Sequence, residues 1–163
     1  LNRESHYVWG KRYLLMMTEM DAAPKVELKH NKIILRIRPA TSCERKQEIL
    51  EAWYREKLKE AVSPLIAKWE LLMSVKVERF FVQKMKTKWG SCSIGGSSIR
   101  LNTELAKKPP ECLEYIVVHE MTHLLEPTHN QRFVSLMDQF MPKWQFYKDQ
   151  LNELPVRHED WVY

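Results

Sequence analysis

The sequence predicts an α+β fold in which a twisted, mainly antiparallel sheet packs against several helices. Residues 25–38 and 74–102 alternate apolar and polar side chains, which is typical of strands with one buried face. Residues 43–73 instead repeat apolar side chains at three- and four-residue steps, which is typical of an amphipathic helix. At 163 residues the chain fits one domain, which we place at residues 1–154, followed by a loosely held tail at residues 155–163.

Two predicted hairpins open the chain. Aromatic and apolar residues flank Gly10 within residues 6–17, which predicts a strand, a tight turn and a second strand. Residues 25–38 repeat this form, with a turn at residues 30–32. We expect the twisted antiparallel sheet to begin here.

One long amphipathic helix is predicted next. Thr41 and Glu44 have the three-residue spacing of a capping box and stand where the periodic apolar stretch over residues 43–73 begins. Pro64 lies inside this stretch, so the helix is predicted to kink or restart near Ser63.

A third strand region over residues 74–85 and a β-hairpin over residues 86–102 follow the helix. Small residues near Trp89 let another backbone approach closely, so an extended peptide could pair with this edge. Alternatively, Gly90 only relieves a bulge. The residues predicted to contact a substrate here are Trp89, Gly90, Ser91, Cys92 and Asn102.

Residues 115–130 contain the pattern H-E-x-x-H, at His119, Glu120 and His123. Because an α-helix turns by about 100° per residue, the four-residue step returns the second histidine to the face of the first, so both imidazoles can reach one metal ion. Glu120 lies beside them, where a carboxylate can accept a proton from water without binding the ion. The pattern therefore predicts a zinc site on a helix, with Glu120 as general base.

A third ligand is predicted at His129. Pro127 disfavours helical torsions at Glu126, so the helix is predicted to end near Leu125 and the chain to turn there. Such a turn would swing His129 toward the two helical histidines and complete a site for one Zn²⁺ ion. The alternative is that these histidines are surface or core residues without a metal.

Helices on either side complete the predicted domain. Proline is tolerated in a first helical turn, so Pro109-Pro110 is predicted to open the helix that carries the motif. Asn130 is predicted to cap a further helix. Pro142 interrupts that helix, and a last helical piece is predicted to end near Glu153.

The sequence contains signals about the cellular compartment of the protein. No apolar run approaches the roughly 20 residues of a membrane helix, and the first residues lack the layout of a secretion signal. The three cysteines form no C-x-x-C pair, so neither a disulfide framework nor a cysteine metal site is indicated. We therefore expect a cytoplasmic protein without a membrane partner.

The positive charge is unevenly distributed. The chain has a net charge of +5, and residues 76–108 alone carry +6. A basic run is commonly a solvated face that aids solubility. The alternative interpretation is that residues 76–108 contact a polyanion, such as a nucleic acid.

Three sequence blocks resemble the YgjP-like metallopeptidase family and, more distantly, SprT-type domains. These are W-G-S-C at residues 89–92, H-E-x-x-H-x5-H, and PKWQFYKDQL at residues 142–151; weaker likeness reaches back to residues 7–13. The resemblance implies a zincin-like α+β fold, a zinc ion at His119, His123 and His129, and Glu120 as the catalytic acid and base. The metzincins share the x5 spacing but have glycine where this chain has Glu126, and no clear Met-turn is visible here, which favours the YgjP-like assignment.

Three functional hypotheses follow. The leading one is a zinc metallopeptidase that cleaves a polypeptide with zinc-activated water and Glu120 as base. The second is a metal-dependent phosphohydrolase of nucleotides, motivated by the basic run. The third is a nucleic-acid-associated binding module whose metal only stabilises the fold. Cys92 could also close the coordination sphere and make the site structural or inhibited.

Overall fold

Two small sheets, one long helix and three shorter helices make up the described chain. The computed structural model describes residues 4–153. The predicted α+β class is confirmed, but the strands form two mixed sheets and not one mainly antiparallel sheet. The elements are β1 Ser5–Val8, β2 Lys11–Glu19, β3 Lys25–Lys29, β4 Lys32–Ile37, α1 Cys43–Met73, β5 Arg79–Gln83, β6 Gly90–Ser93, β7 Ser98–Asn102, a 3-10 helix Thr103–Lys107, α2 Pro110–Thr122, α3 Gln131–Phe140 and α4 Trp144–Leu151.

The first sheet joins the two predicted hairpins through a parallel pair. Its strand order is β1-β2-β4-β3, with β2 parallel to β4 and the other pairs antiparallel. Strand β4 is the more apolar member of its hairpin, and its residues Ile33, Leu35 and Ile37 are buried against the core, whereas β3 is largely exposed. Strand β4, which has the greater apolar surface, therefore takes the interior position beside β2. In this position β4 runs in the same direction as β2.

The second sheet has the order β5-β7-β6 and contains the predicted hairpin of residues 86–102. Strand β7 is central, and Ile99 and Leu101 in it have no exposed surface. Strand β5 pairs with β7 in parallel, whereas β6 pairs with β7 antiparallel and forms one edge of the sheet. This edge faces the histidine-bearing part of the molecule.

Helix α1 runs over residues 43–73 without the restart that Pro64 predicted. Proline removes one hydrogen bond, to the carbonyl group of Glu60, but both residues lie on the exposed side of the helix, where water can replace the lost donor. Ser42, and not Thr41, is the N-cap, because the Ser42 hydroxyl accepts a hydrogen bond from the backbone N–H of Arg45 at 3.1 Å.

Helix α2 lies at the centre of the second half of the chain. It packs against α1, α3, α4 and the strands β6 and β7, and ten of its residues are buried. None of the helices within residues 4–153 combines the length and the apolar character that crossing a membrane requires. The tail predicted at residues 155–163 lies outside the described residues.

Candidate metal centre

Helix α2 presents the first two histidines to the interior. Pro110 begins the helix, as predicted, but regular helix ends at Thr122, three residues before the predicted end near Leu125. The chain continues as a hydrogen-bonded turn, in which the backbone N–H of Glu126 donates to the Thr122 carbonyl at 2.9 Å. The exposed fractions of His119 and His123 are 4% and 9%, so both rings are held by packing on α2.

The turn between α2 and α3 is braced by three side-chain hydrogen bonds. Asn130 caps α3 through a bond of 3.0 Å from a backbone N–H of its first turn, and the Asn130 amide donates to Glu126 Oε1 at 2.7 Å. Arg132 donates to the carbonyl oxygen of Leu125 at 3.0 Å. These bonds fix the segment that returns His129 to the end of α2, as the sequence predicted.

The three imidazoles converge through their Nε2 atoms. His129 Nε2 lies 3.2 Å from His119 Nε2 and 2.9 Å from His123 Nε2. One ring nitrogen can carry at most one hydrogen, so three Nε2 atoms that face one another cannot all be paired among themselves. A cation between them satisfies all three lone pairs at once. The ligand atoms of these three residues lie within 4.8 Å of one another, and no carboxylate or thiol of residues 4–153 joins the group.

The geometry and protonation of the cluster fit a zinc ion. Zinc–nitrogen bonds of about 2.0 to 2.1 Å at tetrahedral angles separate two ligand nitrogens by about 3.3 Å, close to the observed spacings. Burial lowers the pKa of His119 to about 2, which keeps its ring in the neutral form that binds metals. His123 Nδ1 donates to the Glu126 carbonyl oxygen at 3.2 Å, which leaves Nε2 available as a ligand atom.

Phe133 supports all three imidazoles from the side of α3. Its ring centroid lies 5.0 Å from that of His119, 4.6 Å from that of His123 and 4.9 Å from that of His129. The exposed fraction of Phe133 is 5%, so this ring seals the cluster against water on one side. Phe133, Met137 and Phe140 lie at three- and four-residue steps in α3, which is typical of a buried face, but this spacing does not indicate that the histidines are the neighbours of Phe133.

Glu120 is almost fully buried beside the cluster. Its exposed fraction is 2%, and burial raises the pKa of its carboxyl group to about 8, an effect that the positive charge of Lys88 opposes. A Cβ atom placed on Gly90 would lie 3.1 Å from Glu120 Oε2, so the backbone of β6 is in close contact with the carboxyl group. A buried carboxyl group with a raised pKa beside convergent metal-ligand atoms is a candidate for proton transfer.

A cleft of about 470 Å³ opens between the histidines and the edge of the second sheet. The three histidines, Glu120 and Pro127 line one side. Three of the five residues predicted to contact a substrate, Gly90, Ser91 and Cys92, line the other side, together with residues that the prediction missed: Thr87, Lys88 and Ile94.

The structure does not bring the side chains of Trp89 and Asn102 to the cleft. Both have no exposed surface and lie behind the cleft wall. The Asn102 side-chain amide donates to the backbone carbonyl oxygens of Met85 at 3.0 Å and Lys88 at 2.7 Å. The Asn102 backbone N–H donates to the backbone carbonyl oxygen of Trp89 at 2.9 Å. Asn102 therefore holds the segment before β6 in place.

The cysteines take no part in the cluster. Cys92 lines the cleft as a half-buried thiol, and burial, with a smaller contribution from Glu120, raises its pKa to about 11. The Cys92 thiol is not among the ligand atoms that lie within 4.8 Å of one another, so the geometry does not favour Cys92 as a fourth ligand. Cys43, Cys92 and Cys112 are all free thiols.

The basic run of residues 76–108 does not form one cationic surface. Five of its eight cations are engaged elsewhere. Lys76, Lys84 and Lys107 form ion pairs with Glu78, Glu51 and Glu104, Arg100 stacks on Phe81, and Lys108 is buried and donates to the Glu153 carbonyl. The predicted contact with a polyanion or nucleic acid is therefore not supported.

The fold and the histidine cluster are those of a metallopeptidase domain. More specifically, the chain belongs to the YgjP-like metallopeptidase domain family, whose family model matches residues 1–154. The resemblance seen in the sequence is thus confirmed.

Two solved structures are similar to part of this chain. The crystal structure of the metallopeptidase zymogen of Pyrococcus abyssi abylysin is similar, with a TM-score of 0.51, 19% identity, and coverage of 55% of this chain and 90% of that chain. That of Methanocaldococcus jannaschii jannalysin has a TM-score of 0.44 and 21% identity over 57% of this chain and 94% of that chain. Only the first of these supports a shared fold. No curated protein matches this sequence.

Proposed function

We propose that this chain is a zinc-dependent peptidase in which His119, His123 and His129 hold one Zn²⁺ ion and Glu120 is the catalytic acid and base. One observation carries the proposal: three Nε2 atoms converge at 2.9 and 3.2 Å beside a buried carboxyl group, in a cleft walled by a strand edge. Membership of a metallopeptidase family supports a polypeptide as the substrate.

The side chains divide the chemistry between them. Zinc, when bound, supplies a Lewis acid that polarises a carbonyl group and lets water lose a proton near neutral pH. Glu120 accepts the proton of the attacking water at its carboxylate and then donates it to the nitrogen of the leaving amine. The positive charge of Lys88 favours the ionised form of Glu120 and opposes part of the effect of burial, which still raises the pKa to about 8 in the absence of a metal.

The substrate binds as an extended strand along β6. This strand is at the edge of the second sheet, the position at which a peptide adds to a sheet as a further strand. Gly90 adds no side chain between the peptide and Glu120. The cleft supports a peptide better than a nucleoside triphosphate, since Lys88 is its one lysine or arginine within the described residues.

A reducing compartment suits this activity. The three cysteines are free thiols, as is usual in the cytoplasm, where glutathione and thioredoxin keep thiols reduced. We therefore assign the peptidase to the cytoplasm. A disulfide between any two of these cysteines in freshly isolated protein would contradict this assignment.

Cleavage of an unfolded protein tests the proposal. Zinc-loaded wild-type protein is expected to cleave it, and Glu120→Gln is expected to cut the rate by about 10²- to 10⁴-fold while the zinc content stays at one ion per chain. Glu60→Gln, an exposed change on α1, serves as the matched control and should cleave normally. Normal cleavage by Glu120→Gln would contradict the mechanism. Turnover of nucleoside triphosphates but not of peptides would favour a phosphohydrolase.

A further inference from the structure

The two ends of the cleft differ in chemistry. Lys88, an exposed cation, lies at the end before β6, and Ile94, an apolar side chain with an exposed fraction of 48%, lies at the end after β6. Gly90 lies between them and is the residue of β6 that contacts Glu120. The reacting part of the cleft is therefore flanked by a cation on one side and by an apolar surface on the other.

The position of Lys88 is fixed although its side chain is exposed. Its carbonyl oxygen accepts a hydrogen bond of 2.7 Å from the amide of Asn102, which is fully buried and also holds Met85 and Trp89. A buried side chain with several hydrogen bonds is costly to displace. The ammonium group of Lys88 therefore extends from a rigid point beside the cleft and not from a mobile loop.

The charge of Lys88 is available to a ligand. Among residues 4–153 no carboxylate lies within ion-pair distance of Lys88 Nζ, in contrast to Lys84 and Lys107, which are both paired. Among the described residues that line the cleft, Glu120 is the only other acidic or strongly basic one, and the proposed reaction already uses it. The Lys88 end of the cleft is therefore complementary to an anionic group.

On the basis of the proposed peptidase function, we propose that the cleft selects extended peptides with an acidic side chain at the Lys88 end and an apolar side chain at the Ile94 end, on opposite sides of the cleaved bond. Lys88 is two residues before Gly90, and Ile94 is four residues after it. Both residues lie outside β6, with Lys88 just before the strand and Ile94 in the turn after it, so the test covers positions on both sides of the cleaved bond.

Matched peptides test this selectivity. The substrates are fluorogenic peptides that carry Glu, Gln or Lys at one variable position and are otherwise identical. The variable position is placed in turn at each site on both sides of the cleaved bond, and cleavage by the zinc-loaded protein is measured. At the position that faces Lys88, we expect kcat/KM of the Glu peptide to exceed that of the Gln peptide by about fivefold, mainly through a lower KM. The Lys peptide should have a lower kcat/KM than the Gln peptide. Added salt should reduce the preference, because it screens exposed charges.

Charge reversal identifies the residue responsible. Lys88→Glu should reverse the order, so that the Lys peptide becomes the best of the series, whereas Ile94→Ser should weaken only the preference for an apolar residue at the other end. Lys84→Glu is the matched control, because Lys84 pairs with Glu51 outside the cleft, and it should keep the wild-type order. Zinc content and circular dichroism of each variant show that the fold is retained.

The outcomes separate this inference from the proposed function. Equal cleavage of the Glu, Gln and Lys peptides at every position by wild-type protein overturns the inference and leaves the peptidase intact. Retention of the Glu preference in Lys88→Glu also overturns it. Failure of the zinc-loaded wild-type protein to cleave any peptide or unfolded protein overturns the proposed function itself.

Discussion

A Cβ atom on Gly90 would lie 3.1 Å from Glu120 Oε2 and 2.9 Å from the backbone carbonyl oxygen of Arg100. The shorter contact is with backbone, so β6 and β7 would have to shift relative to each other, and the Glu120 carboxyl group would also have to give way. Any residue other than glycine at position 90 therefore alters the place of the proposed general base.

Gly90→Ala is expected to lower kcat for peptide cleavage by about 10- to 100-fold with zinc still bound, since small displacements of a catalytic group have effects of this size. Gly95→Ala is the matched control, because no heavy atom lies within 4 Å of the added methyl group. Steady-state kinetics and metal analysis of both variants make the measurement. An unchanged kcat in Gly90→Ala would show that the close contact has no catalytic consequence.

Removal of zinc is expected to lower the melting temperature. Three convergent imidazole nitrogens favour a cation only in the folded state, so a tightly bound ion stabilises the fold by about 4 kcal/mol at 1,000-fold excess over Kd, or on the order of 10 °C for a domain of this size. Thermal unfolding with chelator and then with added zinc makes the measurement. His129→Ala should lose most of the shift, whereas His30→Ala, in an exposed turn, should keep it. A full zinc shift in His129→Ala would argue against this ligand.

Phe133→Ala is expected to destabilise the protein by about 3 to 5 kcal/mol, because it removes a buried ring. It should also weaken zinc binding, since the ring packs within 4.6 to 5.0 Å of all three imidazoles, measured between ring centroids. Chemical unfolding and a zinc titration measure the two effects. Phe146→Ala, at a ring with an exposed fraction of 61%, should change neither. Unaltered zinc affinity in Phe133→Ala would show that the ring stabilises the core but does not contribute to zinc binding.

The stability of the metal-free protein is expected to depend on pH through Glu120. Burial raises the pKa of Glu120 from 4.5 to about 8. A pKa raised by folding means that the stability contributed by the neutral carboxyl group is complete below pH 4.5 and is lost as the pH rises through 8. Wild-type protein should therefore lose stability between pH 5 and pH 9, whereas Glu120→Gln lacks this titration. The difference in free energy of unfolding, Glu120→Gln minus wild type, should rise over this range by an amount on the order of 4 kcal/mol. Denaturant unfolding in chelator at several pH values measures it, and a pH-independent difference would contradict the expectation.

Local patterns predicted the helix-borne part of the site well. The four-residue step from His119 to His123 and the turn signal at Pro127 depend only on residues close in sequence, and the structure brings His129 to the same point. The pairing of β2 with β4 depends instead on which strand buries more apolar surface in the complete core, so alternation alone could not distinguish it from an antiparallel arrangement.

Contacts between distant residues explain the remaining differences. Asn102 was predicted to face a substrate, but its amide is used behind the wall, and its partners at Met85 and Lys88 come together only after β6 pairs with β7. The charge of residues 76–108 was counted as one block, but partners such as Glu51 on α1 neutralise part of it. Chain order does not reveal which acidic group will stand opposite a given lysine.

The unequal burial of the three histidines predicts the route by which the proposed ion is exchanged. His119 and His123 lie on a packed helix, whereas His129 is exposed and belongs to a short braced turn. We expect the ion to enter and leave on the side of His129, through brief release of this turn. Loss of metal to a chelator should then proceed far faster than global unfolding. The hydrogen bond between Asn130 and Glu126 should break each time the turn is released.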